Sequence, residues 1–314
     1  MVIANSNPLL RSMFVCIGFV TLCAFKPLDP NRSGEKDNAP SQLQAAAIGV
    51  ADLGTAVTFY LTAISLQEVS RTRFRDRTEV RLSAHNGQGS DLILMGYHDR
   101  RTRDFANNPG KLVFYSEDVL SLANNVYFSG GQILLPPTPQ PQFGGALVGF
   151  ARDLDGNLLE MVGVPSTEGT YMSAFGIGVS DLESTKTLYT QVFGFKVQTY
   201  LEIPGQYNEY ILESGSPDAS ALVIMHWTNG SERSYTNNPL LLEIATPNLW
   251  SIRWSAWQYG LKTQPLKPVG SHPYPGLLIT DPDGIPIKVY GALELGNFKL
   301  GNFKLGNFKL GISH

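Results

Sequence analysis

The chain repeats itself once, and this duplication limits what it can fold into more than any other feature. Four short motifs of the first half recur in the second half, in the same order and at offsets of 128 to 130 residues. The four pairs are 51–53 with 180–182, 92–95 with 222–225, 107–109 with 237–239, and 153–156 with 281–284. A repeat of about 120 residues is too long for a solenoid unit and has the size of a domain. We therefore predict two related domains, residues 43–165 and 170–291.

Each half of the duplication contains a shorter pattern twice. An alternating run at Ala45–Val50 leads to Asp52, a residue type that caps helices, and a helical stripe of apolar residues follows from Leu53 to Leu61. Three strand-like runs come next, and the same order begins again around Asp118. One strand, one helix and three strands, repeated in this way along the chain, predict an α+β fold with mixed sheets.

Charge and cysteine content exclude several classes of function. The 24 Lys and Arg residues against 27 Asp and Glu residues give a formal net charge of −3, so the chain has no basic excess for binding nucleic acid. The two cysteines, Cys16 and Cys23, both precede the repeated region. The body of the chain therefore has no disulfide framework, no thiol nucleophile and no cysteine-ligated metal.

The segment before the duplication differs from the rest in composition. Met13–Phe25 is an uncharged apolar run that follows Arg11. It is shorter than the about 20 residues that a spanning helix needs, and it is typical of a secretory signal peptide. A proline-containing polar stretch, Lys26–Ser41, follows without a hydrophobic period. We expect residues 1–42 to be a signal or membrane anchor with a linker, in an exported or membrane-anchored protein; lipid attachment at Cys23 and a buried element of the fold are the alternatives.

The C-terminal segment repeats Leu-Gly-Asn-Phe-Lys three times between Leu295 and Lys309. A period of five fits neither the period of a helix nor that of a strand, so this segment cannot present one consistent apolar face. Residues 292–314 are therefore predicted to be a repetitive tail outside the fold.

The repeated module resembles the vicinal oxygen chelate superfamily, which includes glyoxalase I, the bleomycin- and fosfomycin-resistance proteins and the extradiol ring-cleaving dioxygenases. The resemblance is carried by Ile48–Leu53 with Phe59 and Tyr60, by Ile177–Leu182 with Leu188–Phe195, and by Asp155–Glu160. It implies two tandem domains, each of two βαβββ modules that form a curved eight-stranded cup with the ligand inside.

The same resemblance locates the metal ligands of the superfamily's enzymes. One ligand lies on the first strand of a module, seven residues before the helix-opening Asp or Asn, and another is a Glu on the closing strand. The matching first-strand positions here are Ala45, Lys111, Ala174 and Leu241, and the closing-strand positions are Glu160 and Lys288. A single carboxylate holds a divalent ion poorly against water. We therefore expect neither the usual metal nor another cofactor.

Two Lys–Glu pairs are the first candidates for a site. Lys111 and Glu160 replace two metal ligands of one cup, so a buried ion pair is predicted there. Lys288 is expected to find Glu243 on a neighbouring strand in the second domain. Such a pair can perform acid–base chemistry if burial shifts its pKa values, or it can replace the ion structurally. Exposed strand-edge residues are the simpler alternative.

Ligand contacts are further expected from Arg103, Arg233 and His226. The two arginines occupy equivalent positions after strands, each followed by an aromatic residue, and this combination can hold an anionic or aromatic ligand. We therefore predict a protein that binds a small apolar or aromatic molecule without a metal. The alternatives are a ring-cleaving dioxygenase or glyoxalase-type lyase/isomerase with non-standard residues, and a scaffold whose cups have filled with side chains.

Overall fold

The structure is a computed structural model that describes residues 41–99, 103, 105, 110–141, 144–203, 205–216, 218–230, 235, 239–266 and 276–291. Nearly all of the expected N-terminal segment, and the whole repetitive tail, lie outside these residues. No helix in the described part of the chain has the length and apolar character needed to cross a membrane.

The described elements follow the order strand, helix, three strands in four successive modules, and the predicted α+β class is confirmed. The first half contains β1 Gln42–Val50, α1 Leu53–Ala63, β2 Leu66–Arg73, β3 Arg77–Ala84 and β4 Asp91–Tyr97, then β5 Lys111–Ser116, α2 Val119–Phe128, β6 Gln132–Gln140, β7 Ala146–Arg152 and β8 Leu158–Gly163. The second half contains β9 Thr170–Gly178, α3 Leu182–Phe193, β10 Lys196–Ile203, β11 Tyr207–Glu213 and β12 Ala221–Trp227, then β13 Leu240–Thr246, α4 Leu249–Gln258, β14 Thr263–Leu266, β15 Gly276–Thr280 and β16 Pro286–Gly291.

Each helix begins at a capping side chain. Asp52, Asp118, Asp181 and Asn248 each accept a hydrogen bond from the backbone N–H three residues further on, at 2.8 to 3.0 Å. These bonds satisfy one of the backbone donors that the first helical turn leaves open. The cap is therefore the local signal that ends the first strand and starts the helix in every module.

The strands form two eight-stranded sheets, and each sheet takes one module pair. Sheet A has the order β14-β15-β16-β13-β1-β4-β3-β2, and sheet B has the order β10-β11-β12-β9-β5-β8-β7-β6. The modules meet at the antiparallel pairs β1–β13 and β5–β9. Sheet A thus joins the first and fourth modules, and sheet B joins the second and third.

Each sheet therefore combines modules from different halves of the duplication. The short connection from β8 to β9, residues 164–169, keeps the third module beside the second. The longer segments after β4 and after β12 carry the chain from one sheet to the other. The two sequence halves, 43–165 and 170–291, consequently each contribute one module to each sheet.

The two Asp-x-Asp-Gly turns connect modules as well as forming turns. The Asp155 carboxylate accepts a hydrogen bond from the backbone N–H of Ala51 at 3.0 Å, and Asp283 accepts one from Ser180 at the same distance. These bonds fix the loop before α1 to the second module and the loop before α3 to the fourth.

Candidate functional site

The inner face of sheet B holds a buried lysine between two carboxylates. The Lys111 Nζ lies 3.1 Å from Glu160 Oε2 and 3.2 Å from Glu209 Oε2. All three residues are at most 5% exposed. The structure thus brings Lys111 and Glu160 together and adds Glu209, which the resemblance to the superfamily did not indicate. We call these three residues the sheet B lysine cluster.

Strand register explains this convergence. β5 and β8 run in parallel, and Glu160 is the register partner of Val113, two residues beyond Lys111. Residues two apart on a strand share a face, so both side chains point to the same side of the sheet. Glu209 comes from β11, in the third module, and reaches the same point because the two modules share the sheet.

The cluster keeps its lysine charged. Burial by itself lowers the pKa of Lys111, but the carboxylates of Glu160 and Glu209 outweigh it and hold that pKa well above its ordinary value. Burial raises the pKa of Glu209, which Lys111 partly offsets and the charge of Glu160 reinforces. This direction favours the charged form of Lys111, whereas a general base needs a neutral amine.

Sheet A contains a corresponding arrangement. The Lys288 Nζ lies 3.1 Å from Glu79 Oε2 and 3.0 Å from Glu243 Oε1. Arg77 reaches Glu79 at 2.7 Å, and Arg81 bonds Glu243. We call Lys288, Glu79 and Glu243 the sheet A lysine cluster. The structure therefore places the predicted pair of Lys288 and Glu243 in contact, again with an additional glutamate.

The two clusters share one carboxylate at an equivalent position, whereas the lysine and the second glutamate have exchanged strands. Glu79 and Glu209 lie at the repeat offset of 130 and occupy matching strands, β3 and β11. The lysine stands on the first strand of a module in sheet B and on the closing strand in sheet A. The repeat offset is the sequence signal that connects Glu79 with Glu209, although neither residue lies on a strand that carries metal ligands in the superfamily.

This donor set does not fit a divalent cation. In each cluster an ammonium group already lies about 3 Å from both carboxylates, so a metal between them would face a positive charge at contact distance. Ala45 and Leu241 pack in an apolar cluster with Ile93 and Met95, and they supply no donor. Among the described residues, no group of three or more His, Cys, Asp or Glu side chains is placed to hold a metal ion.

A small cavity adjoins the sheet B lysine cluster. Its volume is about 30 Å³, and its lining includes Lys111, Glu160, Glu209 and Ala174. This is room for one or two water molecules, whereas small-molecule pockets measure roughly 300–1,000 Å³. Ala174, the third expected ligand position, thus faces the same interior and leaves only a water-sized space beside the ion pairs.

The other candidate residues have local partners. Arg103 bonds Asp99 at 2.6 Å, and its guanidinium carbon lies 3.5 Å from the centre of the Tyr97 ring. The His226 Nδ1 lies 2.9 Å from the carbonyl oxygen of Val179. Arg233 lies outside the described residues.

Known proteins support the fold assignment. No family model matches the chain. The lactoylglutathione lyase of Arabidopsis thaliana is 24% identical over 203 residues, which is 62% of this chain and 70% of that protein. The crystal structure of glyoxalase I from Zea mays is 20% identical with a TM-score of 0.64, covering 80% of this chain and 92% of that chain. A putative dioxygenase from Bacillus subtilis is 11% identical with a TM-score of 0.57, covering 80% and 84%. The chain therefore has the vicinal-oxygen-chelate fold of the glyoxalase-like and dioxygenase-like proteins.

Proposed function

We propose that this protein is a non-enzymatic member of the fold that works without a metal centre. In this proposal an ammonium group has taken the place of the divalent ion in each sheet. The observation that carries it is the buried lysine between two glutamates, present in both sheets on different strands. Both sheets place a cation between two glutamates, although the lysine comes from a different strand in each. This supports the proposal that the fold needs a cation at this point.

The chemistry of an ammonium group supports a structural role. A catalytic metal keeps an open coordination position for water or substrate and acts as a Lewis acid. Lys111 already bonds two carboxylates, and only a water-sized space remains beside it. It offers neither an open position nor a strong electrophile to a substrate. We therefore favour a rigid scaffold with a filled interior. The alternatives, a lyase and a dioxygenase, are less well supported.

A direct test is to remove the ammonium group and measure metal affinity. Lys111→Ala leaves Glu160 and Glu209 facing each other, and this variant should bind Zn²⁺ or Mn²⁺ more tightly than the wild-type protein. A metal that binds the folded state raises the thermal midpoint, so the variant should respond to added metal and the wild type should not. Lys186→Ala, which removes a partner of the exposed Glu183, is the matched control.

Enzyme activity provides the second readout. The purified wild-type protein should contain no stoichiometric metal and should form no lactoylglutathione, with or without added Zn²⁺, Ni²⁺, Mn²⁺ or Fe²⁺. One tightly bound metal per chain, lost together with activity on chelation, would contradict the proposal.

A small apolar or aromatic ligand is the second candidate, and one feature favours it. The inner face of sheet A carries the apolar cluster of Ala45, Ala47, Ile93, Met95 and Leu241, with Tyr97 packed against it. Arg103 stacks on Tyr97 beside this cluster. An anionic aromatic dye such as anilinonaphthalene sulfonate should then bind at one site per folded chain, and Tyr97→Ala should weaken it. Absence of dye binding would exclude this candidate.

A further inference from the structure

The outer face of helix α4 carries three exposed tryptophans. Trp250, Trp254 and Trp257 follow the i, i+4, i+7 spacing that places residues on one helix face, and we call them the tryptophan stripe. Their exposed fractions are 76, 60 and 66%. The opposite face of the same helix buries Ile252 and Ala256 in the core. The stripe therefore lies mostly outside the core, although it contains three of the chain's four tryptophans.

Two rings of the stripe lie in contact, and a cation lies beside the third. The rings of Trp254 and Trp257 lie 5.1 Å apart, and the guanidinium of Arg253 lies 5.6 Å from the ring of Trp250. A large aromatic side chain buries about 150–250 Å² when it is covered. Three neighbouring indoles thus offer several hundred Å², which is the size of patch that marks an interaction site.

The chain segment that contains the stripe carries positive but no negative side chains. Residues 244 to 280 contain no Asp or Glu, but they contain Arg253, Lys262 and Lys267, in a chain whose net charge is −3. The neighbouring helix α3 contains one acidic residue, Glu183, which is bonded by Lys186 and Tyr210. Exposed indoles with Arg and Lys match the headgroup region of an anionic bilayer, where tryptophan resides and cations meet lipid phosphates.

The stripe lies close to the point where the N-terminal segment joins the fold. Gln42 pairs with Ala245, four residues before α4 begins. The backbone N–H of Ser41 donates to the carbonyl oxygen of Phe193, the last residue of α3, and α3 packs against α4. The apolar run Met13–Phe25 is therefore connected to the molecule at the end of the sheet that leads into the stripe.

We infer that helix α4 docks on the surface of an anionic lipid bilayer, with the tryptophan stripe at headgroup depth. Stable attachment of a peripheral protein generally takes two signals, as the weak and reversible binding given by a single acyl chain illustrates. The stripe with its neighbouring cations is one signal, and the apolar run at residues 13–25 is the other. The chain would then lie against the membrane in one orientation, with α4 facing the lipid.

The experiment uses the full-length protein and vesicles of equal parts phosphatidylglycerol and phosphatidylcholine. Wild-type protein should sediment with the vesicles, and its tryptophan emission should shift to the blue as the indoles leave water. The triple variant Trp250→Ser, Trp254→Ser and Trp257→Ser should bind at least about tenfold more weakly, since binding scales with buried apolar area. Binding should also weaken at 1 M salt, where the Debye length falls from about 10 Å to about 3 Å.

Helix α2 provides the matched control. Tyr127 and Phe128 are exposed aromatics at its C-terminal end, and acidic Glu117 and Asp118 precede it. The double variant Tyr127→Ser and Phe128→Ser should bind vesicles like the wild type.

Three outcomes would overturn the inference. Equal vesicle binding by the triple variant would assign binding to the N-terminal segment alone. Emission that is already blue-shifted without vesicles and does not change on adding them would mean that the chain's own apolar run covers the stripe. A wild-type dimer that the triple variant cannot form, without vesicle binding, would make a second copy the partner.

Discussion

Ser90 and Ser220, equivalent residues of the two halves, hydrogen-bond each other reciprocally in the buried centre of the molecule. The Ser90 N–H donates to the Ser220 hydroxyl at 2.8 Å, and the Ser220 N–H donates to the Ser90 hydroxyl at 3.1 Å. The two hydroxyls in turn donate to the carbonyl oxygens of Leu43 and Met172, which occupy equivalent positions on β1 and β9. Reciprocal bonds between equivalent residues indicate a local two-fold relation between the halves at this point.

The first prediction concerns this central pair. Ser220→Ala removes the acceptor of the buried Ser90 N–H and the donor to Met172, so the free energy of unfolding should fall by about 1–3 kcal/mol. Urea unfolding measures it. Ser251→Ala, at an exposed position in the first turn of α4, is the control and should change stability by less than about 0.5 kcal/mol. Equal effects of the two substitutions would show that the central bonds contribute nothing specific.

The second prediction concerns the sheet B lysine cluster. Lys111→Met should lower the free energy of unfolding by about 3–5 kcal/mol, because it leaves two buried carboxylates without their cation. The loss should shrink as the pH falls, since protonation neutralises the stranded carboxylates. Glu209→Gln should cost much less, because Lys111 keeps Glu160.

Denaturant unfolding of both variants between pH 4 and 8 checks this order. Lys186→Met, which breaks an exposed pair with Glu183, is the control and should barely change stability. A Lys111→Met protein as stable as the wild type would mean that the cluster is not needed to hold the sheets.

The third prediction follows from a difference between the halves. The Tyr60 hydroxyl donates to Asp153 at 2.6 Å, but the equivalent Tyr189 hydroxyl and Asp281 Oδ2 are buried without hydrogen-bond partners among the described residues. Burial raises the pKa of Asp281 to about 7; a hydrogen bond from Ile285 opposes this rise, and the charge of Asp283 adds to it. The folded state therefore holds the Asp281 proton more tightly than the unfolded chain, whose Asp pKa is about 3.9.

The contribution of Asp281 to stability should consequently be lost as the pH rises from about 4 to about 7. Asp281→Asn keeps the acceptor for the Ile285 N–H and cannot ionise. The free energy of unfolding of the variant should exceed that of the wild type by about 1–3 kcal/mol at pH 8 and should equal it near pH 4. Urea midpoints across this range measure the difference, and parallel curves for the two proteins would contradict it.

The fourth prediction uses two glycines with the same backbone conformation. Gly89 has a φ of 71° and Gly144 a φ of 65°, so a side chain is strained at both positions. A Cβ at Gly89 would lie 2.2 Å from the carbonyl oxygen of Met172, whereas a Cβ at Gly144 would meet open space. Gly144→Ala should therefore lower the free energy of unfolding by about 1–2 kcal/mol. Gly89→Ala should lower it clearly more, because a backbone atom must move to make room for the Cβ. Similar thermal midpoints for the two variants would contradict this.

Local structure was predictable because its signals are local. The helix caps at Asp52 and Asp118 place the helix starts to within one residue. The duplication follows from matched motifs at nearly one offset, and some of these motifs also carry the resemblance to a known fold. The contact between Lys111 and Glu160 was also predictable, because both residues lie in one module, on strands that the fold places side by side.

The sequence by itself thus determined the modules and their order, and it predicted the pairs Lys111–Glu160 and Lys288–Glu243. Tertiary structure alone decided which modules share a sheet, and with that the third member of each cluster. Lys288 meets Glu79 across 209 residues of chain, and Glu209 meets Lys111 across 98. Strand alternation specifies a side chain's face but not the strand that will lie beside it. That choice depends on the connections and on packing between residues far apart in sequence, and no local pattern records it.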